Sequence, residues 1–165
     1  MFVVSGPSGT GKTSLCAEVL KKVSGLVRSV SYTTRPLRLN EKDGLDYHFV
    51  TYEGFWDKVE REELVEWVEY HGHFYGTSQE VLKRELAWGK DLLLAIETQG
   101  AQKLKSRFPD VISVFLLPPS LEVLEERLKK RNTETGEEIE TRLAQAEQEI
   151  RLGAQYEYVI VNDEL

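Results

Sequence analysis

Cysteine is almost absent from this sequence, in which Cys16 is the only one among 165 residues. An intrachain disulfide is therefore excluded, and so is a metal site built from several cysteines. Long apolar runs are absent as well, since none approaches the roughly 18 residues needed to span a bilayer. The first residues carry no signal-peptide pattern. We therefore expect a protein of the reducing cytoplasm with no membrane partner.

An excess of positive charge is also absent. The 28 Asp and Glu residues outnumber the 21 Lys and Arg residues and leave a net charge of -7. A general nucleic-acid binder needs a basic face, so we expect no nucleic-acid partner. Three Trp, seven Tyr and six Phe can fill the core of one domain of this length. Nothing in the composition indicates an oligomeric state.

What the sequence does have is a phosphate-binding loop. The apolar run Phe2–Val4 leads directly into Gly6–Thr13, which matches G-x-x-x-x-G-K-[ST] at every fixed position. Glycines let successive N–H groups turn inward around an anion, Lys12 adds a positive charge, and Thr13 adds a hydroxyl suited to Mg²⁺. A glycine-rich turn that binds nothing is the alternative, but a chance match has odds on the order of one in a hundred. The predicted ATP-binding residues of the loop are Gly6, Pro7, Ser8, Gly9, Thr10, Gly11, Lys12 and Thr13.

Apolar runs and helical patterns alternate along most of the chain. The runs at 2–4, 26–32, 91–96, 111–117 and 158–161 predict five buried strands. Helical spacing follows Thr13 and recurs at 79–88, 99–108, from Leu121, and around Ile139–Ile150. This alternation predicts an α/β fold with a five-stranded parallel sheet flanked by helices. Between 32 and 77 the pattern changes to short strands around one helix at 53–61, which indicates an insertion.

A phosphate loop alone leaves a kinase, a GTPase, an ATPase and a transporter subunit open. The chain is short for a motor, and the guanine-specifying Asn-Lys-x-Asp pattern of GTPases is absent, which favours a small-molecule kinase. Transfer between two nucleotides requires several arginines from different segments, because two polyanions must meet. For each arginine taken alone, a solvated surface charge is the better interpretation, but their grouping favours the site. The candidates are Arg35, Arg38, Arg127, Arg131 and Arg142, the last three of which bracket a polar segment at 132–136 that we expect to close as a lid.

Two histidines lie close together in the sequence. His71 and His73 flank Gly72 and could share one side of a strand. A metal site would need a third ligand, and none stands nearby in the sequence. We therefore do not predict a metal site there.

Over essentially its whole length the chain resembles the guanylate kinase family. The segments that carry the resemblance are 5–13, 31–38, 41–47, 66–67, 75–77, 99–100, 118–120, Arg127, 131–133, 142–143 and 161–163. The resemblance implies Mg²⁺-dependent transfer of the γ-phosphate of ATP to GMP or dGMP, giving ADP and GDP, in purine nucleotide metabolism. It implies a three-part P-loop kinase fold, with a core (1–31, 78–126 and 143–165), a strand-rich GMP-binding insertion (32–77) and a helical lid (127–142).

The resemblance also assigns the GMP site. Ser31, Glu66 and Thr77 would contact the guanine, whose N1–H and 2-amino group can both donate to one carboxylate. Four residues would hold the GMP phosphate, with Glu41 orienting the arginines among them: Arg35, Arg38, Tyr47 and Tyr75. The remaining GMP-site residues would be Gly76, Glu97 and Arg142.

For ATP and the transfer step, the resemblance adds residues from the lid and the last strand. Arg127 and Arg131 would approach the ATP phosphates, and Asn162 and Asp163 would lie near the adenine. The acceptor is an ionised phosphate, so no general base is required. Charge neutralisation would be the task of four catalytic residues: Lys12, Arg38, Arg131 and Arg142.

The sequence departs from the family pattern at three positions, and two other functions stay open. Glu97 stands where the family usually has Asp, Ala95 where it often has a second acid, and Asn132 where Gly is common. One alternative is a related kinase for another nucleoside monophosphate or a sugar bisphosphate. The other is a guanylate-kinase-like scaffold domain that binds phosphopeptides, although such domains typically have a degraded phosphate loop.

Overall fold

A computed structural model of the chain describes residues 1–39, 41–130 and 135–163. Strands and helices alternate over most of the core, consecutive strands occur in the predicted insertion, and there is one additional 3₁₀ turn at Leu152–Gln155. In chain order they are β1 (Phe2–Ser5), α1 (Lys12–Lys22), β2 (Leu26–Arg28), β3 (Tyr32–Thr33), β4 (His48–Phe49), α2 (Tyr52–Glu60), β5 (Leu64–Tyr70), β6 (His73–Ser78), α3 (Gln79–Ala87), β7 (Asp91–Ala95), α4 (Thr98–Arg107), β8 (Ile112–Leu117), α5 (Leu121–Lys130), α6 (Gly136–Arg151) and β9 (Tyr158–Val161).

The central sheet has the strand order β2-β7-β1-β8-β9, and all of its strands are parallel. Its middle strands are apolar on both faces because helices cover both. Val3 and Leu94 pack with α3 and α4, whereas Val4 and Leu93 pack with α1 around Cys16. This confirms the predicted α/β fold. The carboxyl ends of β1 and β7 meet at one edge of the sheet, where ligands of such folds bind.

Two of the predicted strands differ from the expectation. The run 26–32 is not one strand: Ser29 N donates to Leu93 O of the central sheet (3.0 Å), and Ser31 O already accepts from His48 N of another sheet (2.9 Å). The prediction was wrong because an extended run has the same pattern whichever sheet it joins. β9 forms as predicted but is not buried, with its residues 45 to 59% exposed, because it is an edge strand that pairs only with β8.

A second, four-stranded sheet has the order β4-β3-β6-β5 and mixes parallel with antiparallel pairs. β5 and β6 form a hairpin whose turn residues, His71 and Gly72, have positive φ angles of 50° and 72°. Such angles suit a two-residue turn between antiparallel strands. On one face of the hairpin, Trp67 and Phe74 pack against Trp56 of α2 with ring centroids 5.2 to 6.0 Å apart. The opposite face is free to line a site.

Helix α4 joins the two sheets. Lys103 Nζ donates to Trp67 O (2.6 Å) and Arg107 Nη1 donates to Val65 O (3.1 Å). Because β5 is the outer strand of the second sheet, these carbonyls have no neighbouring strand on that side. Side chains four residues apart on the helix thus bind alternate carbonyls of the strand and hold it against the core.

Helices α5 and α6 pack against each other through Leu124, Leu128, Ile139 and Ala146. Helix α6 begins with a capping box, in which Thr135 and Glu138 bond each other's backbone N–H groups. Gly136, the last residue of the polar segment at 132–136, is the first residue of this helix. Residues 132–134 lie outside the described part, and the lid stays a prediction. None of the helices in the described ranges is long and apolar enough to cross a membrane.

Candidate active site

The phosphate-binding loop leaves β1 beside β8 and curls around the amino end of α1. At Gly6, where φ is 142°, a Cβ would lie 2.3 Å from Leu116 O, so no other residue fits this approach. Lys12 Nζ donates to Gly6 O (2.6 Å) and to Pro7 O (3.2 Å), and it lies 3.4 Å from Glu97 Oε2. The ammonium is therefore held across the loop opening, next to a carboxylate from the end of β7.

Asn162 holds the back of the phosphate-binding loop by a hydrogen bond. Its side chain is buried, and Nδ2 donates to Thr10 O (2.8 Å). Arg127 Nη2 donates to Asp163 O (2.7 Å) at the same end of β9. These three residues were expected near ATP; the structure places them behind and beside the loop rather than in the cleft in front of it, and Arg131 lies outside the described residues.

A polar cleft in front of the loop brings together most of the predicted residues. The predicted residues that line it are Ser8, Gly9, Gly11, Lys12, Thr13, Arg35, Arg38, Glu41, Tyr47, Tyr75, Glu97 and Arg142. Four lining residues were not predicted: Ser14, Tyr70, His71 and His73. His71 belongs to the hairpin turn and His73 is the first residue of β6. The sequence marked both only as unsuitable for a metal. Their positions four and two residues before Tyr75 could have indicated that they lie on its side of the strand.

On the cleft wall opposite the loop, Arg35 is held in place by Glu41. Arg35 is only 8% exposed, and its Nη1 and Nη2 donate to the two Glu41 oxygens (3.0 and 2.6 Å). Glu41 also accepts from Arg38 N (2.9 Å). Burial alone would raise the pKa of Glu41, but the bonds from Arg35 and the Arg38 backbone outweigh it and hold this pKa below its usual value. The guanidinium is thus oriented by a partner that is ionised at neutral pH.

The tyrosines of the cleft are hydrogen-bond donors at neutral pH. Tyr47 lies with its ring 5.5 Å from Arg35 Cζ, and its ring centroid is 5.8 Å from that of Tyr75. Burial, followed by the charge of Glu97, raises the pKa of both hydroxyls above the usual value. Both therefore keep their protons and can donate to an anion.

Arg142 reaches the loop from α6. Its Nη1 donates to Ser8 Oγ (3.0 Å), which brings a cation of the helical region to the loop itself. With Lys12, Arg35 and Arg38, it surrounds the cleft with positive charge, and among the described residues that line the cleft only Glu41 and Glu97 are acidic. The arrangement suits ligands that carry several phosphate charges.

The cleft continues into a smaller recess along one face of the β5–β6 hairpin. Three cross-strand pairs form this face, which we call the ladder: Glu66 opposite Thr77, Val68 opposite Tyr75, and Tyr70 opposite His73. The recess is lined by Ser31, Tyr47, Glu66, Val68, Tyr75, Gly76, Ala95, Ile96 and Glu97. The ladder therefore runs from the recess to the phosphate-binding loop.

Glu66 closes the far end of the recess. It is 6% exposed, and its Oε1 accepts from Thr77 Oγ1 (2.6 Å), whereas Oε2 has no hydrogen-bond partner among the described residues. Burial raises its pKa to about 7, against the opposing hydrogen bond from Thr77 and the charge of Lys103. A Cβ on Gly100 would lie 2.7 Å from Oε2, so any larger residue there would require the carboxylate to move. The recess thus ends in a buried acceptor that needs a donor.

Comparisons with known proteins point to one family. The guanylate kinase family matches residues 1–165. The chain is 47% identical to a guanylate kinase of Dechloromonas aromatica, covering all of this chain and 82% of that protein, and 43% identical to one of Thermotoga maritima, covering 80% of that protein. A crystal structure of guanylate kinase from Anaplasma phagocytophilum superposes with a TM-score of 0.80 at 36% identity, over 99% of this chain and 77% of that one. From its sequence, its fold and these likenesses, the chain belongs to the guanylate kinase family.

Proposed function

We propose that this protein transfers the γ-phosphoryl group of ATP to GMP, and also to dGMP, with Mg²⁺ and in the cytoplasm. Members of the family are ATP:GMP phosphotransferases. The observation that carries the proposal for this chain is the buried Glu66, with one oxygen lacking a partner, at the end of a recess continuous with the phosphate cleft. Its chemistry selects the acceptor base.

Guanine matches that carboxylate because N1–H and the 2-amino group form a pair of donors on one edge. The ionised Glu66 would accept from both, with Thr77 and Ser31 beside it. Adenine offers no such pair, so its binding would leave a buried carboxylate oxygen without a donor, at a cost of about 1–3 kcal/mol or more. The recess therefore supports GMP over AMP.

The two phosphate groups would meet in the cleft. Arg35, pre-oriented by Glu41, and Arg38 suit the GMP phosphate, with Tyr47 and Tyr75 as further donors. The loop N–H groups and Lys12 suit the phosphates of ATP. Arg142 already donates to Ser8 of the loop, so a positive charge lies on the side of the cleft where ATP, the phosphoryl donor, would bind. No proton transfer is needed, and catalysis rests on positioning and charge neutralisation, with Lys12, Arg38, Arg142 and Arg131 in that role.

The residues at the cleft fit a Mg²⁺ ion. Thr13 is exposed at the first turn of α1, and the Glu97 carboxylate lines the same cleft. One hydroxyl and one carboxylate, completed by water and phosphate oxygens, are a donor set that Mg²⁺ favours. Bound there, the ion would neutralise charge on the transferred phosphoryl group. Glu97 would act here in place of the more common Asp, and Ala95 adds no second acid.

A binding module without catalysis is the second candidate, favoured by one observation. Lys12 lies 3.4 Å from the longer acid Glu97, a contact that competes with phosphate for the ammonium. A coupled ADP-release assay with GMP, dGMP, AMP, UMP and ribose bisphosphate separates the candidates. We expect turnover with GMP and dGMP only. GMP binding without ADP formation would support the binding module, and turnover with ribose bisphosphate would support a sugar-phosphate kinase.

A further inference from the structure

The last pair of the ladder, Tyr70 opposite His73, lies in the phosphate cleft although no phosphate ligand was predicted there. Along β6 alternate residues share a face, so His73, Tyr75 and Thr77 point to the same side. Thr77 bonds the carboxylate of the base recess, and Tyr75 lines both the recess and the cleft. His73 is about 7 Å further along the strand, beyond Tyr75 on the side of the phosphate-binding loop.

The surroundings of His73 are strongly cationic. Burial, and then the charges of Arg35, Arg142 and Arg38, lower the pKa of its imidazole below the usual value. The charged and titratable side chains that line the same cleft are Arg35, Arg38 and Glu41 from the loop after β3, Lys12 from α1, Glu97 before α4, Arg142 from α6, and Tyr47, Tyr70, His71 and Tyr75. Without an anion in the cleft, the imidazole is therefore mostly neutral at pH 7.

We infer that His73 is a further ligand of the phosphate groups, which it binds as an imidazolium after taking up a proton when GMP enters the cleft. This inference rests on the proposed function, because the anion it names is the GMP phosphate. A phosphate dianion among these arginines reverses the local field, and an opposite charge within hydrogen-bonding reach favours the protonated form of a histidine. A residue that stays neutral at this position would leave the cleft with one positive charge fewer for the bound phosphate.

The test is isothermal calorimetry of GMP binding at pH 7.5 in two buffers of different ionisation enthalpy, which counts the protons exchanged. At this pH the GMP phosphate is mostly a dianion already, with its second pKa near 6. Protons released by Glu66 and by GMP contribute equally to the wild type and to a histidine variant. We expect the wild type to take up about half a proton more than His73→Asn. An equal count in the two proteins would overturn the inference.

Two other histidines provide matched controls. His48 lies in β4 with its ring 4.9 Å from that of Tyr32 and does not line the cleft, so His48→Asn should match the wild type. His71 does line the cleft. Loss of the extra proton in His71→Asn but not in His73→Asn would overturn the assignment to His73. His73→Gln, together with melting curves of each variant, guards against a folding artefact.

Affinity gives an independent measurement. We expect the dissociation constant of GMP to be about tenfold higher in His73→Asn than in the wild type at pH 6.5, and the difference to shrink toward pH 8.5, where protonation becomes costly. His73→Lys, which stays cationic, should keep its affinity at pH 8.5. A ratio independent of pH would contradict the inference while leaving the proposed function intact. Failure of the wild type to bind GMP would contradict both.

Discussion

The two halves of the proposed active site differ in which part of the chain forms them, and we call them the ATP side and the GMP side after the ligands proposed for each. On the ATP side the main chain shapes the loop, with Gly6 allowing the close approach to Leu116 O and Lys12 folded over the loop carbonyls. On the GMP side buried side chains pair with each other, as Arg35 does with Glu41 and Thr77 with Glu66. A backbone site recognises phosphate in general, whereas paired side chains can recognise one base. Variants of the two halves should therefore fail in different ways.

Removing Lys12 should give the largest effect and should separate the halves. We expect Lys12→Ala to lower kcat by on the order of 10³-fold, because the negative charge on the transferred phosphoryl group loses its main fixed cation. The dissociation constant of GMP should change by less than about twofold, since the pairs of the GMP side stay intact. Steady-state kinetics and GMP titration measure the two quantities. A comparable loss of GMP affinity would show that the halves are not separate.

Glu66→Gln should damage the GMP side alone. We expect KM for GMP to rise by on the order of 10²-fold, because a charge-assisted acceptor is replaced by an amide that offers one acceptor and one clashing donor. The kcat at saturating GMP should fall much less.

The same residue gives a pH dependence with a definite sign. The pKa of Glu66 is raised to about 7, so its ionised form grows as pH rises through 7. We therefore expect the ratio of KM for GMP in Glu66→Gln to KM in the wild type to rise from pH 6 to pH 8, since only the wild type gains the ionised carboxylate. An unchanged profile in the variant would remove Glu66 from base recognition.

Gly100→Ala tests whether the GMP side also depends on a backbone position. The added Cβ would lie 2.7 Å from Glu66 Oε2 and force the carboxylate to move, so we expect KM for GMP to rise by about tenfold. Gly136→Ala is the matched control, because a Cβ there meets nothing within 4 Å. If both variants behaved as the wild type, the carboxylate would have room to shift and its position would not be decisive.

Glu97→Asp should have the smallest effect. The shorter side chain would weaken the contact with Lys12, now 3.4 Å, and leave the ammonium more available to phosphate. We expect kcat to stay within about threefold of the wild type or to rise. This expectation is tested by measuring kcat and the Mg²⁺ concentration that gives the half-maximal rate. A large drop would show that the site is built around the longer acid.

The same contrast explains how much the sequence could predict. The phosphate-binding loop was predictable because its geometry needs glycine at fixed local spacings, and strands such as β7 were predictable from continuous apolar runs. The GMP side was predictable only through family resemblance, since Glu66 and Thr77 are partners by hairpin register. The split of 26–32 and the exposure of β9 depend on which sheet, and which edge, a strand joins.

Other features had no local pattern at all. The bond between Asn162 and Thr10 joins residues 152 positions apart, and neither neighbourhood indicates it. His73 enters the cleft because the turn at His71 and Gly72 sets the register of β6. The roles of the lid arginines remain predictions, among them that of Arg131, which lies outside the described residues.

The most direct measurement of the central claim is the ratio of kcat/KM for GMP to that for AMP, in the wild type and in Glu66→Gln. If a buried carboxylate selects the base, the wild-type ratio should be on the order of 10⁴, and the variant should lower it by at least about tenfold through weaker use of GMP. A wild-type ratio near one, or a ratio unchanged by the substitution, would contradict the account.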